Sequence, residues 1–372
     1  MRKKTKRKLF ITLILLIGLI FGALYFFKGY FWKKSEEEVP KTEEKETAKE
    51  HNVSFTLAGN VLVNEYMWLD AKTQEGYNFD TVFENANDIM KKSDVNFYFQ
   101  GTIIGGKDLG SSRGSNYNAP SELIDSLSKM GFNSLSLASY HAYDKGMDGI
   151  TNSIKLLNDK KIAFSGVNAS DKNNEYNIIE KAGLKIGLLS YTLGTDTNMS
   201  EEYAVNIYSD EKAKKDIEAI KTKVDILIVS IDWNNLISVN VTDKEREIAT
   251  KLAKLGANII VGNSSYSIQP IEMIDDTLVC YSLGNLFSGH ILVDSRISAM
   301  VDFKVKVKEK KLTIGDINVA LYYTYNINGG NYKIIPFAKI NTELSNYKEY
   351  YDKYKEMLTK DKDNIKFYNI GD

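Results

Sequence analysis

The fold is decided by two consecutive stretches of sequence, DEKAKKDIEAIKTKVDILIVSI (210–231) and DKEREIATKLAKLGANIIVG (243–262). In each, apolar residues recur at helical spacing and then give way to a short aliphatic run that is typical of a buried strand. Gly256 ends the second helical pattern, as glycine often does. The same alternation of strands and helices begins at Val53. It implies right-handed crossovers, so we predict a layered α/β sandwich.

The C-terminal part has a different pattern. From residue 298 the chain shows period-two alternation broken by turns, which predicts a mostly β region that completes the same domain. We therefore predict one α/β domain over residues 53–340. Residues 341–372 are predicted to include a charged helix, and its aromatic stripe should pack on the core. The stripe comprises Tyr347, Tyr350, Tyr351 and Tyr354.

The N-terminus carries a strong membrane signal. Residues 10–27, FITLILLIGLIFGALYFF, contain no charge. At about 1.5 Å per residue they would span roughly 27 Å, close to the thickness of the hydrocarbon core of a bilayer. Basic residues precede this segment and aromatic residues follow it up to Trp32. A cleaved signal peptide would be shorter and end in small residues, so this pattern favours an uncleaved signal anchor.

The anchor predicts a location for the whole chain. We expect residues 1–32 to cross the cell membrane once, with the N-terminus cytoplasmic and the main domain extracellular. Residues 33–51 are charged without an apolar face and are predicted to be a linker. The net charge of −1 and the absence of a basic, aromatic strip give no reason to expect nucleic-acid binding.

Polar loops follow the predicted strands, and in open α/β folds ligands bind past the carboxyl ends of strands. The loops are LAGNVL (57–62), NFYFQGT (96–102), SLASYHAYDKG (136–146), VSIDWNN (229–235), VGNSSYSIQPIE (261–272) and YSLGN (281–285). Of the three histidines in the chain, only His141 lies within these loops. His51 falls in the predicted linker, and His290 follows the last motif.

In order and spacing, these loops resemble the CapA-like family of capsule and poly-γ-glutamate biosynthesis proteins, over roughly residues 53–290. YSLGN (281–285), QPIE (269–272) and SLA-x-x-H-x-x-D-x-G (136–146) carry the resemblance. It implies a fold similar to that of calcineurin-type metallophosphatases, and a metal site at the strand ends.

The chain departs from the family where that family has metal ligands. Gly-Asp becomes Gly-Asn at 59–60, and Asn-Gln-Glu-Thr becomes Phe-Gln-Gly-Thr at 99–102. Asn-Asn-His becomes Ser-Tyr-His at 139–141, and His-Trp-Gly becomes Asp-Trp-Asn at 232–234. Gly-His-x-Pro-His becomes Gly-Asn-Ser-Ser-Tyr at 262–266.

These substitutions change the chemistry that the loops can support. Imidazoles and carboxylates bind Zn²⁺ or Mn²⁺, whereas Asn, Ser and Tyr are weak neutral donors. A two-metal centre holds its ions about 3.5–4 Å apart, and a bridging carboxylate helps to offset their repulsion. We therefore predict no metal site and no cofactor.

Three residues remain open as catalytic candidates. His141 is either a metal ligand or general acid, or a hydrogen-bonded structural histidine. Asp144 either fixes the ring of His141 and its loop, or caps a helix that starts near Met147. Asp232 is either a replacement ligand or a carboxylate that binds nearby backbone amides.

The same loops predict a ligand-binding cleft. Aromatic side chains, among them Phe99, either fill the volume of the former metal site or offer a stacking surface for a sugar or polymer. The residues predicted to line the cleft are Asn60, Gln100, Tyr140, His141, Trp233, Asn263, Tyr266 and Asn285.

Three functional hypotheses follow from the resemblance and the lost ligands. The first is a non-catalytic binding or scaffold protein for capsule or poly-γ-glutamate biosynthesis or attachment, with an anionic cell-surface polymer or its membrane synthesis complex as partner. The second is an active metal-dependent hydrolase or transferase with a rearranged site of His141, Asp232 and Asp144. The third is a structural partner in a membrane complex.

Overall fold

A computed structural model describes residues 2–34, 50–86, 93–112, 114, 116–171, 177–234 and 237–368. The chain divides into two units, Met1–Lys49 and Glu50–Asp372. In the first unit, helix α1 (Arg2–Lys34) contains the segment Arg7–Tyr30, which is long and apolar enough to cross a membrane and is not buried.

The predicted linker over residues 33–51 is only partly covered by the structure. Residues 35–49 lie outside the described residues, and helix α1 extends to Lys34. His51 is not a linker residue, because it begins the first strand of the second unit and pairs with Val307. Its Nδ1 also lies 2.9 Å from the carbonyl oxygen of Ala182.

The second unit alternates strands and helices before a β-rich C-terminal part. Its strands are β1 (His51–Leu62), β2 (Val95–Gln100), β3 (Ser134–Ser136), β4 (Ala163–Ser165), β5 (Asn177–Lys181), β6 (Leu184–Thr192), β7 (Ile226–Asp232), β8 (Ile259–Asn263), β9 (Ile271–Ile274), β10 (Thr277–Cys280), β11 (Asn285–Ser288), β12 (Ile297–Lys308), β13 (Lys311–Ile314), β14 (Ile317–Ile327), β15 (Gly330–Pro336) and β16 (Ile365–Phe367). Its helices are α2 (Glu65–Asp70), α3 (Asp80–Phe83), α4 (Glu122–Met130), α5 (Gly146–Asp159), α6 (Asp210–Ile220), α7 (Asp243–Leu255) and α8 (Tyr347–Thr359).

These strands form two sheets. The first has the order β15-β14-β12-β1-β2-β3-β4, with β11 paired to β1, β13 to β12 and β16 to β14. The second has the order β5-β6-β7-β8-β10-β9. The strands β1 to β4 run parallel, as do β6, β7 and β8. Their carboxyl ends therefore meet at one edge of each sheet.

The sheets pack face to face, and helices cover their outer faces. Phe55 and Phe97 of the first sheet share a core with Ile186 and Ile228 of the second. Helices α2 to α5 cover the outer face of the first sheet, and α6 and α7 cover that of the second. Since both faces of the central strands are covered, a strand such as β7 is buried along its whole length. The predicted layered α/β sandwich with a mostly β C-terminal part is confirmed.

Local signals place the helices where the sequence predicts them. Helix α7 begins with a capping box, in which Thr242 and Glu245 each accept a hydrogen bond from the other's backbone N–H, at 3.2 and 2.6 Å. Gly131 ends α4 in the left-handed region, at φ 115°.

The C-terminal helix belongs to the same compact unit as the sandwich. In α8, Tyr351 and Tyr354 are buried in the core between the sheets, and Tyr347 and Tyr350 pack against it. The tyrosine stripe therefore faces the core, as its spacing predicts.

Candidate functional site

One buried carboxylate joins the two sheets at their strand ends. Asp232, the last residue of β7, accepts a hydrogen bond at Oδ2 from the backbone N–H of Tyr140, in the loop after β3, at 2.6 Å. Its Oδ1 accepts the N–H of Asn234 at 2.9 Å. These contacts are those of a carboxylate that fixes backbone amides, the second of the two roles predicted for Asp232.

Burial governs the charge of this carboxylate. It raises the pKa of Asp232, although hydrogen bonds from the Ser264 hydroxyl and from the N–H groups of Asn234 and Tyr140 favour the charged form. The proximity of His141 acts in the same direction as these hydrogen bonds. The net effect is a carboxyl group that holds its proton more tightly in the folded chain than in the unfolded chain.

Below the surface lies a layer of neutral amides, each at most 2% exposed: Asn60, Gln100, Asn263 and Asn285. Asn60 Nδ2 donates to Asn285 Oδ1 at 3.1 Å, and Asn285 Nδ2 donates to the carbonyl oxygen of Ser295 at 2.8 Å. Gln100 Nε2 donates to the carbonyl of Thr102 at 2.7 Å. Within the described residues, Asn60 Oδ1, Gln100 Oε1 and Asn263 Oδ1 have no hydrogen-bond partner. The structure therefore places these four predicted cleft residues beneath the accessible surface.

Asn60 also closes the space where the family resemblance implies a carboxylate. A Cβ added at Gly101 would lie 2.2 Å from Asn60 Oδ1, far inside van der Waals contact. A glutamate at 101 would therefore require Asn60 to move. Neutral amide oxygens bring no negative charge to offset the repulsion between two cations. As packed here, Asn60 and Gly101 do not fit the bridging carboxylate of a dinuclear centre.

His141 and Asp144 form a fixed pair. His141 Nδ1 lies 2.9 Å from Asp144 Oδ2, which also accepts the N–H of Tyr117 at 2.7 Å. Since a carboxylate only accepts, Nδ1 carries the proton in this arrangement. Of the two roles predicted for Asp144, the helix cap is not the one it has, because α5 begins after Lys145 without a side-chain cap. Asp144 instead holds the ring of His141 and its loop.

Asp196 joins this pair, although no sequence motif predicts it. His141, Asp144 and Asp196 each place a possible ligand atom within 4.8 Å of the others. The backbone N–H of Asp196 donates to the carbonyl oxygen of Tyr140 at 2.8 Å, and its side chain is exposed. Asp196 lies in a loop after β6, and this loop contains none of the motifs that carry the family resemblance.

Aromatic side chains cover the site, and we call this surface the aromatic face; it comprises the partly exposed Tyr117, Tyr140, Tyr266 and His290 around the largely buried ring of His141. The Tyr117 and Tyr140 ring centroids lie 4.3 and 5.2 Å from that of His141. The Tyr266 centroid lies 5.9 Å from that of His290. Burial raises the pKa of Tyr117 and of Tyr266, and a hydrogen bond with Asp196 raises that of Tyr140. All three phenols are therefore protonated hydrogen-bond donors at neutral pH.

Two other aromatic residues of the strand-end loops, Trp233 and Phe99, do not lie on the aromatic face. The prediction that Trp233 lines the cleft is wrong, because it packs between the second sheet and its helices. Its Nε1 donates to the carbonyl oxygen of Tyr281 at 2.8 Å. Phe99, at the end of β2, is fully buried.

The fold and this site define a class of protein, a layered α/β sandwich whose polar strand-end loops meet between two sheets. The sequence pattern of the family described as "Bacterial capsule synthesis protein PGA_cap" matches residues 54–290. The chain belongs to this family.

Two relatives carry related names. The chain is 24% identical over 312 residues to "PGA biosynthesis protein CapA" of Bacillus subtilis (strain 168), a match that covers 82% of this chain and 78% of the relative. It is 20% identical over 317 residues to "Capsule biosynthesis protein CapA" of Bacillus anthracis, covering 82% and 74%.

Solved structures with a similar arrangement are more distant. A novel phosphatase from Mycoplasma pneumoniae has a TM-score of 0.47 at 12% identity, covering 73% of this chain and 94% of its own. A hypothetical protein from Thermus thermophilus has a TM-score of 0.46 at 12% identity, covering 73% and 99%.

The close approach of Gly101 to Asn60 predicts a steric coupling. Gly101→Ala should lower the free energy of unfolding by about 1–3 kcal/mol, because the new methyl group overlaps Asn60 Oδ1. In an Asn60→Ala background the same change should cost much less. Urea denaturation of the four chains measures this coupling. Gly194→Ala is a matched control, since its added Cβ meets no atom within 4 Å. An equal cost in both backgrounds would contradict the closed arrangement.

The raised pKa of Asp232 predicts a pH-dependent stability difference. Because this pKa lies above the ordinary value of 3.8, the folded chain binds the proton more tightly than the unfolded chain. As the pH falls through the raised pKa, this group therefore adds stability to the wild type. Asp232→Asn cannot take up the proton. As the pH falls from neutral towards 3.8, the free energy of unfolding of the wild type should rise relative to that of the variant. A constant difference would show that burial does not raise this pKa.

Proposed function

We propose that the chain is a membrane-anchored protein that supports biosynthesis or attachment of a capsular, anionic polymer of the poly-γ-glutamate type by binding it rather than by metal catalysis. Family membership and the names of the two relatives support the capsule role. The apolar helix and the basic residues before it support an anchor with a cytoplasmic N-terminus and an external main domain.

The packing of Asn60 against Gly101 is the observation that most supports a non-catalytic role. A bridging carboxylate at 101 has no room beside the amide of Asn60. Asn60 is itself held by Asn285, so it cannot turn away without losing that hydrogen bond. With neutral groups at this point, two adjacent divalent cations would lack the negative charge that offsets their repulsion.

The aromatic face supplies the means of binding. Tyr117, Tyr140 and Tyr266 are partly exposed, whereas the amides beneath them are not. All three rings pack against methylene groups, and the hydroxyls of Tyr117 and Tyr266 donate to carbonyl or carboxylate oxygens of a polymer. Such contacts need no metal ion.

Binding to poly-γ-glutamate tests this function. The detergent-solubilised full-length chain should bind the polymer equally well with and without EDTA. Tyr140→Ala and Tyr266→Ala should each weaken binding by roughly two- to tenfold, since an aromatic contact is worth roughly 0.5–1.5 kcal/mol. Tyr368→Ala removes a tyrosine that is 42% exposed outside the aromatic face and should bind as the wild type does. Isothermal titration calorimetry measures each affinity.

Two outcomes would contradict the proposal. Binding that is unchanged in both aromatic-face variants would place the polymer elsewhere. Binding that disappears with EDTA and in His141→Ala would favour a rearranged metal site at His141, Asp144 and Asp196, whose ligand atoms lie within 4.8 Å of one another.

A further inference from the structure

Arg296 carries a charge that no carboxylate of the described chain neutralises. It ends a short 3₁₀ turn, Asp294–Arg296, just before β12, and its side chain is partly exposed. The adjacent acid, Asp294, is bound to Lys353 and Tyr354 instead. Within the described residues, Nε of Arg296 is buried without a hydrogen-bond partner. Burying part of an unpaired guanidinium is unfavourable, and such a group gains stability when an anion binds it.

The side chain is nevertheless held in place. The guanidinium carbon lies 5.0 Å from the ring centroid of Tyr323, a cation–π distance. This contact orients the planar fork without using its N–H groups. An oriented fork loses less conformational entropy when it binds a planar, two-oxygen anion such as a carboxylate.

His290 provides a second donor close to this cation. Its Nδ1 accepts the backbone N–H of Leu292 at 3.2 Å, so in the neutral ring Nε2 carries the proton. Burial and the charge of Arg296 both lower the pKa of His290, which keeps the ring neutral at neutral pH. Its ring also contacts Tyr266 on the aromatic face.

We propose that Arg296 and His290 form an anion-binding subsite at the border of the aromatic face, where they take a carboxylate group of the bound polymer. This subsite rests on the proposed polymer-binding function and gives it a source of positive charge. The acidic side chains of Asp144, Asp196 and Asp232 lie near Tyr117, Tyr140 and Tyr266. The acidic side chains repel a polyanion, so a cation at the border determines where its charged groups lie.

The test compares charged and uncharged polymers on the full-length chain in detergent. Arg296→Gln should weaken binding of poly-γ-glutamate at least tenfold. Arg296→Lys should bind with an affinity between those of the wild type and Arg296→Gln, because lysine keeps the charge but lacks the planar fork. His290→Gln should weaken binding several-fold. Lys304→Gln is the matched control, since it removes one exposed positive charge from β12 outside the aromatic face. Thermal unfolding of each variant shows that it is folded.

The outcomes separate the subsite from the function on which it rests. If Arg296→Gln binds poly-γ-glutamate as the wild type does while Tyr266→Ala does not, the subsite is wrong and the polymer-binding function stands. If the wild type binds dextran but not poly-γ-glutamate, the carboxylate assignment is wrong. If the wild type binds only polyphosphate, and Arg296→Gln weakens that binding, the subsite binds phosphate rather than carboxylate. If no polymer binds, both proposals fail.

Discussion

The site depends on a single buried carboxylate that has to be satisfied from both sheets. Asp232 stands at the end of a strand in the second sheet, yet its Oδ2 is bound by Tyr140, which follows a strand of the first. A carboxylate this deeply buried is stable only when hydrogen bonds replace its lost hydration. The loops after β3 and β7 are therefore locked together, and with them the positions of His141 and of the aromatic residues above it.

Beneath this link lies a layer of neutral amides. The amide of Asn60 donates a hydrogen bond to Asn285, and it fits there only because residue 101 is glycine. The residues at 60 and 101 depend on each other sterically, because a carboxylate side chain at 101 would overlap the amide at 60. Binding on the surface above this layer can use rings and hydroxyls, while the layer itself gives the loops a rigid base.

Much of the fold could be predicted from periodicity, and the failures have identifiable causes. The alternation from Val53 predicted the sandwich correctly because helical and strand periods differ clearly in these segments. Strand β5 has no clear periodic signal, because its five residues are half-buried or exposed and form a hairpin with β6. Trp233 was misplaced, although period-two alternation predicts that the residue after inward-facing Asp232 points to the opposite face.

The site was only partly predictable for a different reason. His141, Tyr140 and Tyr266 follow strands whose ends the topology brings together. Tyr117 and Asp196 reach the same region from loops that carry no periodic pattern, and only tertiary packing places them there. A sequence pattern also cannot show that Asn60 touches Gly101, since Asn60 lies in β1 whereas Gly101 follows β2.

The most direct test of a non-metal site is the metal content of the full-length chain, purified after growth with added zinc and manganese and measured by plasma mass spectrometry. Neutral amides at the strand ends predict well below one bound ion per chain after dialysis without chelator. Two tightly bound ions per chain would contradict the assignment of this site to polymer binding without metal.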